Sequence, residues 1–200
     1  MENLAYNYMA DDFVEDEESD YEIIEGERVY MSPTPNAEHG SIVGNVVTIF
    51  NSYCWPMRKA RVFGDNIDVH LPDGNTFRPD VSVVCDLSII KFHDTIYGVP
   101  DLVVEILSRS TMMNDIGKKK DIYEKNGVKE YWIVNHWIKA IEVYHLIDGK
   151  FKLDYVYQIY SDIDWQRLTE EQRKAAKFEI KVSIFDDLMV DINKVFMWID

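Results

Sequence analysis

The chain has 200 residues, 46% of them hydrophobic and 13% aromatic, which suffices for a packed core and excludes disorder of the whole chain. No apolar run reaches the roughly 20 residues that cross a bilayer, and no Lys or Arg precedes Arg28, so no membrane association and no signal peptide are expected. The two cysteines, Cys54 and Cys85, lack CxxC spacing, which favours a reduced, cytoplasmic protein over a zinc or disulfide protein.

The net charge of −15 is unevenly distributed. Residues 1–27 hold eleven acids and no Lys or Arg, whereas the rest of the chain holds 25 acidic and 21 basic residues. Residues 109–129 form a local basic zone. We therefore expect an acidic N-terminal segment at 1–20, followed by a single domain at 21–200.

Alternating and helical apolar spacing, together with turn residues, predict the elements of this domain. The first half contains a hairpin over 21–31 around Glu25-Gly26, a helix from 37 to about 53, and strands over 61–71 and 76–85 joined by a turn at 72–75. A strand over 101–107 and a helix over 111–125, ended by Asn126-Gly127, come next. The rest contains strands over 130–135, 139–146 and 151–159 and a helix near 169–176. This order indicates an α/β or α+β fold with a mixed sheet and few helices.

Two of these strands carry an acid among apolar residues, Asp80 in FRPDVSVV and Glu105 in PDLVVEILS. In a strand, Glu105 shares a face with Val103 and Leu107 and is buried if both faces are covered. A buried charge requires a partner, and two neighbouring carboxylates repel each other unless positive charge lies between them. A hard divalent cation such as Mg²⁺ or Mn²⁺ suits carboxylate oxygens.

The helix that follows offers a second source of positive charge. Asp115, Lys119 and Tyr123 lie at i, i+4 and i+8, and Ile116 and Ile122 flank this stripe, which favours a position at or near the buried side. Folding back over the sheet brings Lys119 towards the acids, where it can stabilise charge that develops on a phosphate. Two acids, a lysine and a metal ion are suited to phosphodiester hydrolysis.

The sequence resembles the Uma2 family, which is similar to the PD-(D/E)xK restriction-endonuclease superfamily. The matching segments are YEIIEGERVYMSPTPNAEHGSIV (21–43), FRPDVSVV (77–84), VPDLVVEILSRSTMMNDIGKKKDIYEKNGVKEYWIV (99–134) and, more weakly, FDDLMVDINKVF (185–196). The resemblance implies a restriction-endonuclease-like mixed sheet flanked by helices, with an N-terminal hairpin extension. It implies a metal-dependent endonuclease that hydrolyses DNA.

The resemblance also implies roles for individual residues. Asp80 and Glu105 are expected to bind Mg²⁺ or Mn²⁺, with the backbone carbonyl of Ile106 as a third ligand. The usual superfamily lysine, two residues after the Glu, is absent, because Leu107 stands there. The resemblance implies that Lys119, on the following helix, supplies the positive charge of that missing lysine. The supporting residues are expected to be Asp115, Tyr123, and His39 or Glu38 as a further ligand or base, with His39 the better fit.

Other interpretations stay open at this stage. Lys119 lies in a run of three lysines, which is commonly an exposed surface feature, and Glu105 could form a structural ion pair with Arg78 or Arg109. A nuclease fold without activity, used for DNA or protein binding, is the main alternative function. A two-carboxylate hydrolase of sugars is a third, against which the helix-borne lysine argues.

Two further expectations concern partners. Cutting both DNA strands usually requires two sites, so a homodimer is expected. The acidic segment opposes DNA binding, which depends on phosphate neutralisation. It is therefore hypothesised to be mobile, or to lie across the cleft and inhibit.

Overall fold

The computed structural model of the protein describes residues 21–30, 36–65, 67–91, 95–108 and 112–199. The acidic segment 1–20 and Arg109 lie outside the described residues. The strands are β1 (Tyr21–Ile24), β2 (Glu27–Tyr30), β3 (Arg61–Gly64), β4 (Val69–His70), β5 (Thr76–Phe77), β6 (Val81–Val84), β7 (Ile96–Tyr97), β8 (Leu102–Ile106), β9 (Glu130–Asn135), β10 (Ala140–Ile147), β11 (Lys150–Gln158), β12 (Glu179–Lys181) and β13 (Met189–Asp191). The helices are α1 (Ala37–Met57), α2 (Met112–Asp115), α3 (Lys118–Asn126), α4 (Asp162–Arg167), α5 (Glu170–Ala175) and α6 (Ile192–Val195).

A six-stranded sheet in the order β11-β10-β9-β8-β6-β3 forms the centre of the fold. Strands β8 and β9 run parallel, and the other neighbouring pairs are antiparallel. The central strands are buried on both faces, which explains their nearly continuous apolar sequences. Helix α1 and the C-terminal segment cover one face, and α3 with a second sheet covers the other. This mixed α+β architecture confirms the predicted fold class.

The second sheet has five strands in the order β2-β1-β5-β4-β7. Its edge is the predicted hairpin, whose turn residues Glu25 and Gly26 both have positive φ (53° and 84°), as a tight two-residue hairpin turn requires. Strand β1 pairs with β5 through Ile23 and Thr76. The hairpin is therefore built into the layer that covers the central sheet.

The prediction of two long, continuous strands at 61–71 and 76–85 is wrong. Each is divided between the two sheets: the first into β3 and β4, the second into β5 and β6. In the second, Pro79 cannot donate to a strand ladder, and the chain passes from one layer to the other there. Asp80 consequently lies in the bend immediately before β6 and not within a strand.

The helix predicted at 111–125 is also interrupted. It consists of α2 and α3, separated at Ile116 and Gly117, and Gly117 has non-helical backbone angles (φ −114°, ψ −105°). Ile116 is 42% exposed, so it does not flank a buried stripe as expected, whereas Ile122 does. Gly127 ends α3 in the left-handed conformation with φ 88°, as predicted. Within the described ranges, no helix is both long and apolar enough to span a bilayer.

Candidate active site

Asp80 is held at the surface end of the site by two contacts. Its Oδ2 accepts a hydrogen bond from the backbone N–H of Ile106 at 2.6 Å, and its Oδ1 lies 3.1 Å from Nε2 of His39. Antiparallel pairing of β6 with β8 sets Val81 opposite Val104, so Asp80 continues the register beside Glu105. Its side chain remains 16% exposed, more than the buried side chains of Glu105 and Lys119.

Glu105 is buried on the face of the central sheet that α3 and the second sheet cover. It shares this face with Val103 and Leu107, as the strand alternation predicted. The hydroxyl of Tyr123 donates to its Oε1 at 3.0 Å. Burial raises the pKa of Glu105 well above its ordinary value; Lys119 opposes the rise, and neighbouring carboxylates including Asp80 add to it. Glu105 thus lies in a position where a cation strongly favours its ionised form.

Lys119 provides the cation within this cluster. Its Nζ lies 2.8 Å from Oε1 of Glu22, 3.4 Å from Oδ1 of Asp115 and 3.5 Å from Oε1 of Glu105. Burial lowers the pKa of Lys119, but the three carboxylates outweigh burial and hold the pKa above its usual range. The lysine is therefore charged and only 3% exposed, while Lys118 beside it is 59% exposed and paired with Glu25.

Glu22 is a member of the cluster that was not singled out in the sequence. It lies on β1, is 4% exposed, and makes the shortest contact of Lys119. Its Oε1 also accepts from the backbone N–H of Arg78 at 3.0 Å. The signal that could have found it is the one used for Glu105: Glu22 and Ile24 share the buried face of an alternating strand.

A second group of polar side chains adjoins the cluster through His39. Asn36 caps the start of α1: its side-chain oxygen accepts a hydrogen bond from the backbone N–H of His39, which fixes this residue's backbone. Burial lowers the pKa of His39, but the Asp80 carboxylate more than offsets this, and the pKa is raised. Glu38 contacts His136 instead, with 3.5 Å between Oε2 and Nε2, and is 50% exposed on its side chain.

His136, which follows β9, was missed by sequence reasoning. It is 5% exposed, and in the described part of the chain neither ring nitrogen has a hydrogen-bond partner of good geometry. Burial lowers its pKa and favours the neutral imidazole. The sequence around it, NHW, carries no pattern that distinguishes a buried histidine from an exposed one.

The structure thus brings most of the predicted residues together. Contacts link Asp80, Glu105, Lys119, Asp115, Tyr123 and His39. Glu38 lies at the edge, against His136. For Ile106 the contact to Asp80 uses the N–H; a role for its carbonyl as a metal ligand stays a prediction.

The cluster contains the kind of donor atom, carboxylate oxygen, that a hard divalent cation prefers. Four carboxylates, from Glu22, Asp80, Glu105 and Asp115, face one ammonium group and one imidazole. This excess of buried negative charge favours uptake of a cation, and oxygen donors suit Mg²⁺ or Mn²⁺. Within residues that the structure describes, no three His, Cys, Asp or Glu side chains are already arranged as a metal site, and Lys119 lies among these carboxylates.

Acids and a lysine that converge on one face of a mixed central sheet are typical of the restriction-endonuclease-like class of folds. The Uma2 family model, described as "Putative restriction endonuclease", matches residues 5–172. The chain belongs to the Uma2 family. This confirms the resemblance in the sequence.

A solved structure shows the same fold. It is described as a "putative nuclease belonging to DUF820" from Anabaena variabilis ATCC 29413, and it matches with a TM-score of 0.66 and 22% identity over 90% of each chain. No curated protein matches the chain. The structural match establishes the fold, and activity must be argued from the site.

Proposed function

We propose that this protein is a metal-dependent endonuclease that hydrolyses DNA phosphodiester bonds. The observation that carries the proposal is the contact of Glu105 with Lys119, in a cluster that adjoins the partly exposed Asp80. The Uma2 membership supports a nuclease, and the chemistry of the side chains supports a phosphoryl substrate.

Each residue has a role that follows from its surroundings. Asp80 and Glu105, with the carbonyl of Ile106, would hold Mg²⁺ or Mn²⁺, which supplies the positive charge that polarises a phosphate and makes water more acidic. Lys119 stabilises negative charge that develops on the phosphate, or orients the attacking water. Tyr123 fixes the Glu105 carboxylate by donating to it, and His39 fixes that of Asp80.

Plasmid nicking in the presence of Mg²⁺ or Mn²⁺ tests the proposal. We expect wild-type protein to nick DNA and single Asp80→Asn, Glu105→Gln and Lys119→Met variants to lose about 10²-fold or more in rate, as for loss of a group that stabilises a transition state. Lys118→Met is the matched control, because its side chain is largely exposed. Wild-type inactivity, or variants as active as wild type, would contradict the proposal.

Metal binding separates an enzyme from an inactive nuclease fold that serves as a binding module. Calorimetry with Mn²⁺ is expected to show a site in the wild type that disappears in Asp80→Ala. If neither protein binds Mn²⁺ and no nicking occurs, the binding-module alternative is favoured.

The acidic segment 1–20 leads to a separate proposal about DNA affinity. Because phosphate contacts dominate DNA binding and depend on salt, a variant that lacks residues 1–20 should bind DNA more tightly at low salt. If the protein binds DNA with the same affinity with and without residues 1–20, the segment does not inhibit DNA binding.

We also propose a homodimer in a cytoplasmic setting. Both cysteines are free thiols, and Cys54 is buried, which is compatible with a reducing compartment. Cleavage of both strands by one dimer predicts that linear plasmid appears together with nicked circles from the first time points, and not only after nicked circles have accumulated. Light scattering of the purified protein measures the dimer directly.

A further inference from the structure

We infer that Glu22, from the N-terminal hairpin, is a positioning residue of this site that holds the Lys119 ammonium group while Glu105 binds a cation. The inference rests on the proposed function. It assigns the hairpin a part in the active site and identifies an acid outside the FRPD and VVE segments.

The contact distances support this assignment. Lys119 Nζ is 2.8 Å from Glu22, but 3.4 and 3.5 Å from Asp115 and Glu105. The same Glu22 oxygen accepts from the N–H of Arg78, two residues before Asp80. One carboxylate atom therefore joins the hairpin, the helix that carries the lysine and the loop that carries the first acid.

The position of Glu22 in its strand also argues for a specific role. Strand β1 buries Glu22 and Ile24 on one face, and an apolar residue at position 22 would pack there without the cost of burying a charge. An acid in this place requires a compensating cation, and Lys119 is the cation in contact with it.

Cation binding at Glu105 creates the need for such an anchor. Lys119 and a divalent ion carry charge of the same sign and both are attracted to the Glu105 carboxylate. Glu22 offers Lys119 a closer carboxylate from a separate layer of the fold, which leaves Glu105 available. Without the charge of Glu22, the ammonium group would be drawn towards Glu105 and Asp115 and would compete with the ion.

A double-mutant cycle on Mn²⁺ affinity tests the inference by calorimetry. The four proteins are wild type, Glu22→Gln, Lys119→Met and the double variant; Gln has the same shape as Glu and can still accept from Arg78. We expect Glu22→Gln to weaken Mn²⁺ binding about tenfold, which corresponds to about 1.4 kcal/mol. In the Lys119→Met background, the same change is expected to alter the dissociation constant less than about twofold.

A conservative variant provides a second test that does not depend on Lys119→Met folding. Glu22→Asp keeps the charge but withdraws the carboxylate by one methylene group, so a positioning role predicts weaker Mn²⁺ binding and a lower kcat with little change in KM for DNA. Glu27→Gln, an exposed acid on the same hairpin, is the control and should match wild type.

The outcomes separate failure of this inference from failure of the proposed function. If Glu22→Gln has no effect, if it weakens Mn²⁺ binding equally in both backgrounds, or if Glu22→Asp behaves as wild type, Glu22 does not act through Lys119. If wild-type protein binds no Mn²⁺, the proposed function is overturned and the inference with it.

Discussion

Replacing Lys119 by Met removes the cation from a buried group of carboxylates, and the folded protein should lose stability as a result. Lys119 is 3% exposed and lies within 3.5 Å of Glu22, Glu105 and Asp115. Removal of one partner from a buried ion pair typically costs about 3–5 kcal/mol, because the other charge is left uncompensated. We expect a loss of this size in the free energy of unfolding near pH 8.

The loss of stability in Lys119→Met should become smaller as pH falls. The pKa of Glu105 is already raised above its ordinary 4.5, and Lys119 is the neighbour that lowers it; without Lys119 it rises further. An acid with a raised folded-state pKa costs no stability below its unfolded pKa, and its cost grows as pH rises towards the folded pKa. Wild type gains stability in the same way up to its own folded-state pKa. The loss caused by Lys119→Met should therefore shrink, by up to about 1.4 kcal/mol per proton for each pH unit, as pH falls from the folded-state pKa of Glu105 in the variant to that in wild type.

Lys119 itself contributes no pH dependence over the same range. Its folded-state pKa lies above the ordinary 10.5, so its stabilising effect is fully present below 10.5 and is lost only as pH rises through the folded-state value. Any narrowing of the difference between wild type and Lys119→Met as pH falls from 8 to 5 consequently reports on the carboxylates.

Urea unfolding at pH 5, 6, 7 and 8, followed by tryptophan fluorescence, to which buried Trp132 contributes, measures this difference. The matched control is Lys118→Met, which should change stability by less than about 0.5 kcal/mol because the Lys118 side chain is exposed. A difference between wild type and Lys119→Met that widens as pH falls from 8 to 5 would refute the reasoning, because protonation of the carboxylates can only narrow it.

Three further predictions concern stability and reactivity elsewhere in the molecule. Replacing His136 by Leu should leave the free energy of unfolding within about 1 kcal/mol of wild type, because burial favours the neutral imidazole and its contact with Glu38 is long, at 3.5 Å; a larger loss in urea unfolding would contradict this. Replacing Gly127 by Ala should cost about 1 kcal/mol, because φ is 88° there, and an unchanged melting midpoint would contradict this. Both cysteines should resist alkylation at pH 8 in the native protein and react after unfolding, because Cys54 is buried and burial raises the pKa of Cys85 to about 12. Mass spectrometry measures the adducts, and rapid labelling of the native protein would contradict the prediction.

Local sequence patterns predicted the strands that are buried on one or both faces and bounded by turns. The hairpin around Glu25-Gly26, strands β8 to β11 and the end of α3 at Gly127 are all confirmed. In each case the information lies within a few neighbouring residues, as apolar alternation or as a residue suited to positive φ. The stripe of Asp115, Lys119 and Tyr123 is buried as predicted, although only Ile122, and not Ile116, is buried beside it.

The errors concern places where the chain changes layer. Apolar alternation runs through 61–71 and 76–85 without showing that each segment passes from one sheet to another. Only Pro79 marked the second crossing, and the prediction kept Asp80 within a strand. Glu22 was missed because its partner, Lys119, is almost 100 residues away, and no local pattern connects a hairpin to a helix so distant in sequence.

The position of the lysine shows why order in sequence is an incomplete guide to such a site. Leu107 occupies the usual lysine position and is buried with Glu105 on the same face of the central sheet, so a side chain there approaches the acids from within the strand. Lys119 reaches Glu105 from α3, in the layer that covers that face. Catalysis by an ammonium group depends on where the charge lies relative to the phosphate, and either element can deliver it. For the proposed nuclease site, the requirement on the sequence is therefore a lysine on one of two facing elements, and Lys119, 2.8 Å from Glu22, is that lysine in this chain.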